Sequence, residues 1–234
     1  MANQTRRRPQ HWRGREMIKE ASRTGIWGGT GSGKSTRIKE LVQNQNRVIV
    51  LDPTGDWGRE RGYRIYKTLN GIYKAMKAGW NTGFKLVLYV DEMAAFPPDV
   101  LQQLSKGLMD VQTPYFNNKD RREITVVIDE MSDFYPNMTL KADQMAFKSL
   151  VNKGRHYGIN IIGASQRLAE VHTNFRGNCK EHYFFRMGSA VDYNTAAQTM
   201  GREYLAKHRA LKTHQYLHFK SGTVSEGKNQ ANFR

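Results

Sequence analysis

Eight consecutive residues, Gly28-Gly29-Thr30-Gly31-Ser32-Gly33-Lys34-Ser35, carry the pattern G-x-x-x-x-G-K-[ST], which occurs once in the 234-residue chain. The residue types fit one task, the wrapping of a polyphosphate by backbone N–H groups. That task demands small side chains and glycines able to take positive φ. A helix beginning at Lys34 would add the partial positive charge of its N-terminus, with Thr36 in its first turn completing the phosphate-facing set. Lys34 is expected to reach the β- and γ-phosphates of ATP, and the Ser35 hydroxyl to ligate Mg²⁺. The competing interpretation, a glycine-rich turn before a surface helix, does not account for the Lys-Ser pair.

Such a loop needs an acidic partner, and two segments end in Asp-Glu: 84–90 before Asp91-Glu92, and 124–128 before Asp129-Glu130. A buried central parallel strand is continuously apolar. Val126-Val127-Ile128 meets that test better than Lys85-Leu86-Val87-Leu88-Tyr89. Asp129 is therefore expected to hold Mg²⁺ and Glu130 to orient and deprotonate the attacking water. Asp91 and Glu92 are expected to cap the loop before Pro97-Pro98. A third polar group follows the strand over 159–163. Gln166 can hydrogen-bond both a phosphate oxygen and a water, which suits a γ-phosphate sensor.

The elements that must position these groups alternate along the chain. Short β-branched or aromatic strands are expected at 25–27, 47–51, 63–66, 84–90, 124–128, 159–163, 182–187 and 215–219. Helices are expected at 34–43, 71–78, 98–111, 140–153 and 192–200. The alternation predicts an α/β fold of the RecA-like additional-strand class, a mainly parallel sheet with helices on both faces. Residues 1–20, Arg-rich and without periodicity, are expected to form a basic mobile arm, and 21–234 the ATPase domain.

The balance of 37 Lys and Arg against 21 Asp and Glu gives a net charge of +16. That excess predicts a polyanionic partner. The clusters lie at 6–15, 59–64 and 119–122. No apolar run approaches the ~20 residues of a membrane helix, and the start lacks the apolar core of a secretory signal. The one cysteine, Cys179, admits no internal disulfide and fits a reducing compartment. His214 and His218, four apart on an expected strand, lack the cysteine partners of a zinc site.

The stretch Lys153-Gly154-Arg155-His156-Tyr157-Gly158, the strand after it, and the closing Ala164-Ser165-Gln166-Arg167 resemble the signature of the FtsK–HerA superfamily. There an Arg-x-x-Gly precedes the strand and Ala-Thr-Gln-Arg closes it. Ser165 stands where Thr is usual, and Leu168 where Pro is common. Val50-Leu51-Asp52-Pro53-Thr54-Gly55-Asp56 is similar to the second-strand motif of HerA-type proteins. The resemblance spans roughly residues 25–219 and implies a ring, hexameric in that family, with sites at subunit interfaces. It implies an arginine acting on the neighbour's γ-phosphate: Arg155 by motif position, with Arg167 and Arg176 as alternatives.

Members of that superfamily move double-stranded DNA. Chromosome translocases, conjugation coupling proteins and filamentous-phage assembly ATPases carry membrane segments, and HerA is much longer. Size thus points to the genome-packaging ATPases of tailless, internal-membrane, double jelly-roll viruses. The resemblance implies a packaging motor in the host cytoplasm or on the virion, with a capsid vertex or viral membrane proteins as further partners. The alternatives are a nucleotide-regulated assembly factor that binds DNA or membrane, and a stand-alone helicase. Two loops are expected to meet DNA: 117–122, with Lys119, Arg121 and Arg122, and 56–61, with Arg59 and Arg61.

Overall fold

The structure is a computed structural model, and it describes residues 21–139, 141 and 144–230. The arm expected over 1–20 lies outside the described residues. Nine strands form one sheet: β1 (Arg23–Trp27), β2 (Arg47–Asp52), β3 (Arg64–Tyr66), β4 (Phe84–Tyr89), β5 (Ile124–Asp129), β6 (Ile159–Ser165), β7 (Glu181–Phe185), β8 (Gln215–Lys220) and β9 (Thr223–Lys228). Their order is β3-β4-β2-β5-β6-β1-β7-β8-β9. All pairs from β3 to β7 are parallel, and β8 and β9 add antiparallel. β6 lies between the phosphate-loop strand β1 and the acidic strand β5, which is the additional-strand arrangement expected from the sequence.

The central strands are apolar on both sides because both sides are covered. Ile49, Leu51, Val126, Ile128 and Ile161 point to the larger core, under helices α2 (Leu69–Ala78), α3 (Pro97–Val111), α6 (Met145–Lys153) and α8 (Ala190–Met200). The alternate residues Val48, Val50, Val127 and Ile162 join Ile38 and Val42 of α1 (Lys34–Val42) in the smaller one. Caps set two of these starts: the side chains of Thr68 and Ser189 accept from the N–H groups of Gly71 and Asp192.

Four short helices were not foreseen: α4 (Thr113–Phe116), α5 (Met131–Phe134), α7 (Thr173–Asn178) and α9 (Leu205–Arg209). Each is too short to show a helical period. α6 starts at Met145; part of the expected start near 140 lies outside the described residues. β9 was also missed, since Thr-Val-Ser-Glu-Gly-Lys is a polar edge strand without an apolar stripe. Its pairing is imposed by the turn Ser221-Gly222, where both residues have positive φ (51° and 78°) as a two-residue hairpin requires. Among the described residues no helix is long and apolar enough to cross a membrane.

Candidate active site

The chemical groups meet at the C-terminal ends of three adjacent strands. β1 runs into the phosphate loop, β6 into Gln166 and β5 into Asp129-Glu130. The loop is tied to its neighbours by backbone: Gly28 N–H donates to Ser165 O (3.2 Å) and Gly29 N–H to Arg186 O (2.8 Å). Two glycines are obligatory here for different reasons. A Cβ on Gly28 would lie 2.6 Å from Phe185 Cβ. Gly33 has φ 114°, and a Cβ there would lie 2.6 Å from Asn229 Nδ2.

The C-terminal hairpin braces the loop from behind. His214 N–H donates to Ser32 O (3.0 Å), and Asn229 Nδ2 donates to Gly33 O (2.8 Å). No sequence signal announced this contact, because Asn229 is 196 residues from Gly33 along the chain.

Lys34 is buried and folds back over the loop, donating to Gly28 O at 2.8 Å and Gly29 O at 3.4 Å. Burial pushes its pKa down, against the opposing pull of Glu130 and Asp129. Glu130 has φ 82° and ψ 69°, a left-handed conformation costly for a non-glycine residue. Its Oε1 accepts three hydrogen bonds: from Ser165 Oγ (2.6 Å), Ser132 Oγ (2.8 Å) and Gln166 N–H (3.0 Å). Gln166 Oε1 in turn accepts from Thr30 Oγ1 at 2.5 Å. One connected network thus links the acidic strand, the sensor position and the phosphate loop.

Asp129 accepts from the indole N–H of Trp57 at its Oδ2 (2.7 Å). Its carboxyl pKa is raised, chiefly by burial, with Asp52 and Glu130 adding to the rise and Trp57 and Lys34 opposing it. Trp57 was not anticipated, although the Asp-Pro-Thr-Gly-Asp run before it is a turn signal.

The groups present fit a nucleotide with its magnesium. Ser32 Oγ is a buried polar atom of the loop without a protein partner among the described residues. Asp129 and Glu130 outnumber the one buried lysine beside them, an arrangement a divalent cation would balance. No group of three or more metal-binding side chains occurs among the described residues.

The remaining expected residues are dispersed. Arg155 lies in the 3-10 turn Gly154–Tyr157 that precedes β6, at the opposite edge of the sheet. The seven residues of β6 put roughly 20 Å between that turn and Gln166. Arg155 therefore lies far from the Lys34, Glu130 and Gln166 cluster of its own chain. Arg167 stands beside Gln166, paired with Glu170 (2.8 Å) and Asp192 (3.3 Å). Arg176 lies in α7, its pKa lowered by burial. Asp91 is exposed and accepts from Met93 N–H (3.0 Å) in a local turn, four strands from β1.

The two basic loops lie at opposite edges. Residues 56–61 follow the C-terminal end of β2, with Arg59 and Arg61 exposed, whereas 117–122 lead into the N-terminal end of β5. Within the latter, Lys119 and Arg121 are exposed. Arg122 is tied down by Asp120 (2.7 Å), Asn81 and the Trp80 ring (5.3 Å). Arg122 is therefore a structural residue first, and an intact Asp120 pair is what its guanidinium offers to the loop.

Comparison with known proteins follows the same lines. The profile of the family described as Zonular occludens toxin (Zot) matches residues 27–215. No curated protein matches the sequence. The genome packaging NTPase B204 from Sulfolobus turreted icosahedral virus 2, in complex with AMPPCP, superposes with a TM-score of 0.69 at 16% identity, covering 89% of this chain and 98% of that one. B204, the DNA-packaging ATPase from Sulfolobus Turreted Icosahedral Virus, gives 0.68 at 18% identity, with 89% and 98% covered. EssC (ATPases 2 and 3) from Geobacillus thermodenitrificans gives 0.59 at 12%, covering 91% of this chain and 41% of that one. At these identities the likeness establishes the fold alone, a mainly parallel α/β sheet flanked by helices.

Proposed function

The chain belongs to the Zonular occludens toxin (Zot) family, and from that premise we propose that it is an ATPase that drives double-stranded DNA in a ring of its own copies, as a viral genome-packaging motor. The observation that carries the reading is the convergence of Lys34, Glu130 and Gln166 on one set of strand ends, joined by the hydrogen bonds through Thr30 and Ser165.

The substrate is ATP with Mg²⁺, and the metal, when bound, would neutralise phosphate charge. Gly28, Gly29, Thr30, Gly31, Ser32 and Gly33 wrap the phosphates. Lys34 exchanges its contacts with Gly28 O and Gly29 O for phosphate oxygens. Ser35 and Asp129 would hold the metal, and Thr36 joins the phosphate-facing first turn. Glu130, fixed by three donors, takes the proton of the attacking water, and Gln166 orients that water. Arg155 completes a neighbour's site, so hydrolysis belongs to a ring, of six copies by family resemblance. The +16 charge supports a grip on DNA phosphates without base readout, because base-specific contacts would create sticking points for a motor. Work of this kind belongs in the host cytoplasm or at a capsid vertex, beside viral membrane proteins.

The test is ATP turnover with and without duplex DNA. Wild type should be stimulated by DNA of any sequence. Lys34→Ala should abolish turnover, and Glu130→Gln should bind ATP but hydrolyse it at least ~10²-fold more slowly. A wild-type ATPase indifferent to duplex DNA would replace the motor with a nucleotide-regulated switch.

A further inference from the structure

β2 ends in a turn whose geometry is set by one buried carboxylate. Asp52 is fully buried. Its Oδ1 accepts from Thr54 N–H (2.9 Å), Thr54 Oγ1 (3.0 Å) and Gly55 N–H (2.9 Å), and its Oδ2 accepts from Trp57 N–H (2.9 Å). Gly55 takes φ 79°, which turns the chain into the 3-10 helix Asp56–Arg59. The result is a braced hook that carries the Trp57 ring inward, where it is 1% exposed, packed edge-on against Tyr63 at 5.4 Å.

A buried indole needs a partner for its N–H. Here the partner is a side chain on another strand, Oδ2 of Asp129, 72 residues away. Asp129 Oδ1 accepts no hydrogen bond among the described residues. A carboxylate with one oxygen pinned and the other open is the arrangement expected of a metal ligand oriented from outside. The hook's outer end carries Arg59, and Arg61 follows it, both exposed.

We propose that Trp57 is a positioning residue that holds Asp129 in its metal-binding orientation, with the Asp52-braced turn making the metal site and the exposed Arg59 loop one rigid unit. This rests on the assignment of Asp129 to Mg²⁺. A merely structural Trp57 would support the fold whether or not a metal is present. A positioning Trp57 matters only where the metal matters.

The experiment measures binding of a fluorescent, non-hydrolysable ATP analogue to the full chain over a range of Mg²⁺ concentrations, with EDTA as the zero point. For wild type, affinity should rise with Mg²⁺. In Trp57→Phe, which keeps an aromatic ring and removes the N–H, half-saturation by Mg²⁺ should move to roughly tenfold higher concentration, the scale of one lost hydrogen bond to a charged group. Affinity in EDTA should stay within twofold of wild type. Thr54→Val, which removes the Oγ1 donor to Asp52 and loosens the turn while leaving the Asp52 charge in place, should shift the Mg²⁺ requirement in the same direction. In an Asp129→Asn background, Trp57→Phe should add no further shift. An unchanged Mg²⁺ requirement in Trp57→Phe, or an equal loss in EDTA, overturns the proposal. A wild type whose affinity ignores Mg²⁺ overturns instead the assignment of Asp129 on which it stands.

Discussion

Ser165 is a sensitive point at which to test the proposed base. Its hydroxyl donates to Glu130 Oε1 at 2.6 Å, the shortest of the three bonds that oxygen accepts, and it is fully buried. Ser165→Ala removes that bond, together with the acceptor for Arg167 N–H (3.0 Å), and keeps the carbonyl that accepts from Gly28. A hydrogen bond to a charged group contributes about 1.5–3 kcal/mol. Two donors, Ser132 Oγ and Gln166 N–H, remain on Oε1, so the cost should fall at the lower end, about 1.5 kcal/mol or tenfold. Glu130 amplifies the effect, because its left-handed backbone (φ 82°) persists only while its surroundings over-determine it. The Ser165 side chain is not expected to touch nucleotide. The loss should therefore appear in kcat, with KM within twofold. Steady-state ATPase assays, with thermal unfolding to confirm the fold, make the measurement. An unchanged kcat in a folded variant, or a loss confined to KM, would refute the assignment of Glu130 as the positioned base.

The remaining predictions concern charge, subunit contact and pH. Mixing Lys34→Ala with Arg155→Ala subunits should restore part of the activity, since some interfaces would pair an intact loop with an intact arginine; proven mixed rings without rescue would remove Arg155 from the neighbour's site. Binding to duplex DNA should weaken linearly in log affinity against log salt, with a slope near −0.9 per neutralised phosphate. Replacing Lys119 and Arg121 together should flatten that slope while basal turnover survives, and an identical slope would exclude the loop as a contact. Replacing Arg122 should lower the melting temperature instead, through loss of its Asp120 pair. His182 accepts from Trp27 Nε1 (3.0 Å), and burial depresses its pKa to about 4. Because the unfolded chain protonates it near 6.5 and the native chain does not, its contribution is complete above pH 6.5 and is lost as pH falls towards 4. At pH 5 the loss is about 2 kcal/mol, to be read as a lower urea midpoint than at pH 7; a His182→Gln variant showing the same pH dependence as wild type would contradict this.

The residues whose chemistry is local were legible in the sequence. A phosphate loop needs small residues, a lysine and a hydroxyl in fixed succession, because a single turn must present them all, so 28–35 is the candidate that residue type and spacing single out. The apolar run ending at Asp129 told which acidic pair belongs to a central strand, since only a strand covered on both faces is apolar throughout. Alternating strand and helix signals gave the α/β class and placed eight of the nine strands.

What stayed hidden depends on strand order, which the sequence does not spell out. Trp57 meets Asp129 only because β2 lies beside β5, and Asn229 reaches Gly33 only because the hairpin β8–β9 folds back against the phosphate loop. Arg155 and Gln166 are eleven positions apart in a motif that reads as one unit. An extended strand nevertheless puts them at opposite edges of the sheet. β9 escaped because an edge strand with two wet faces has no apolar stripe, and its place is fixed by a two-residue turn. Local chemistry is written in residue type and spacing; the contacts that orient it are made across the sheet, and only the folded chain brings them within 3 Å.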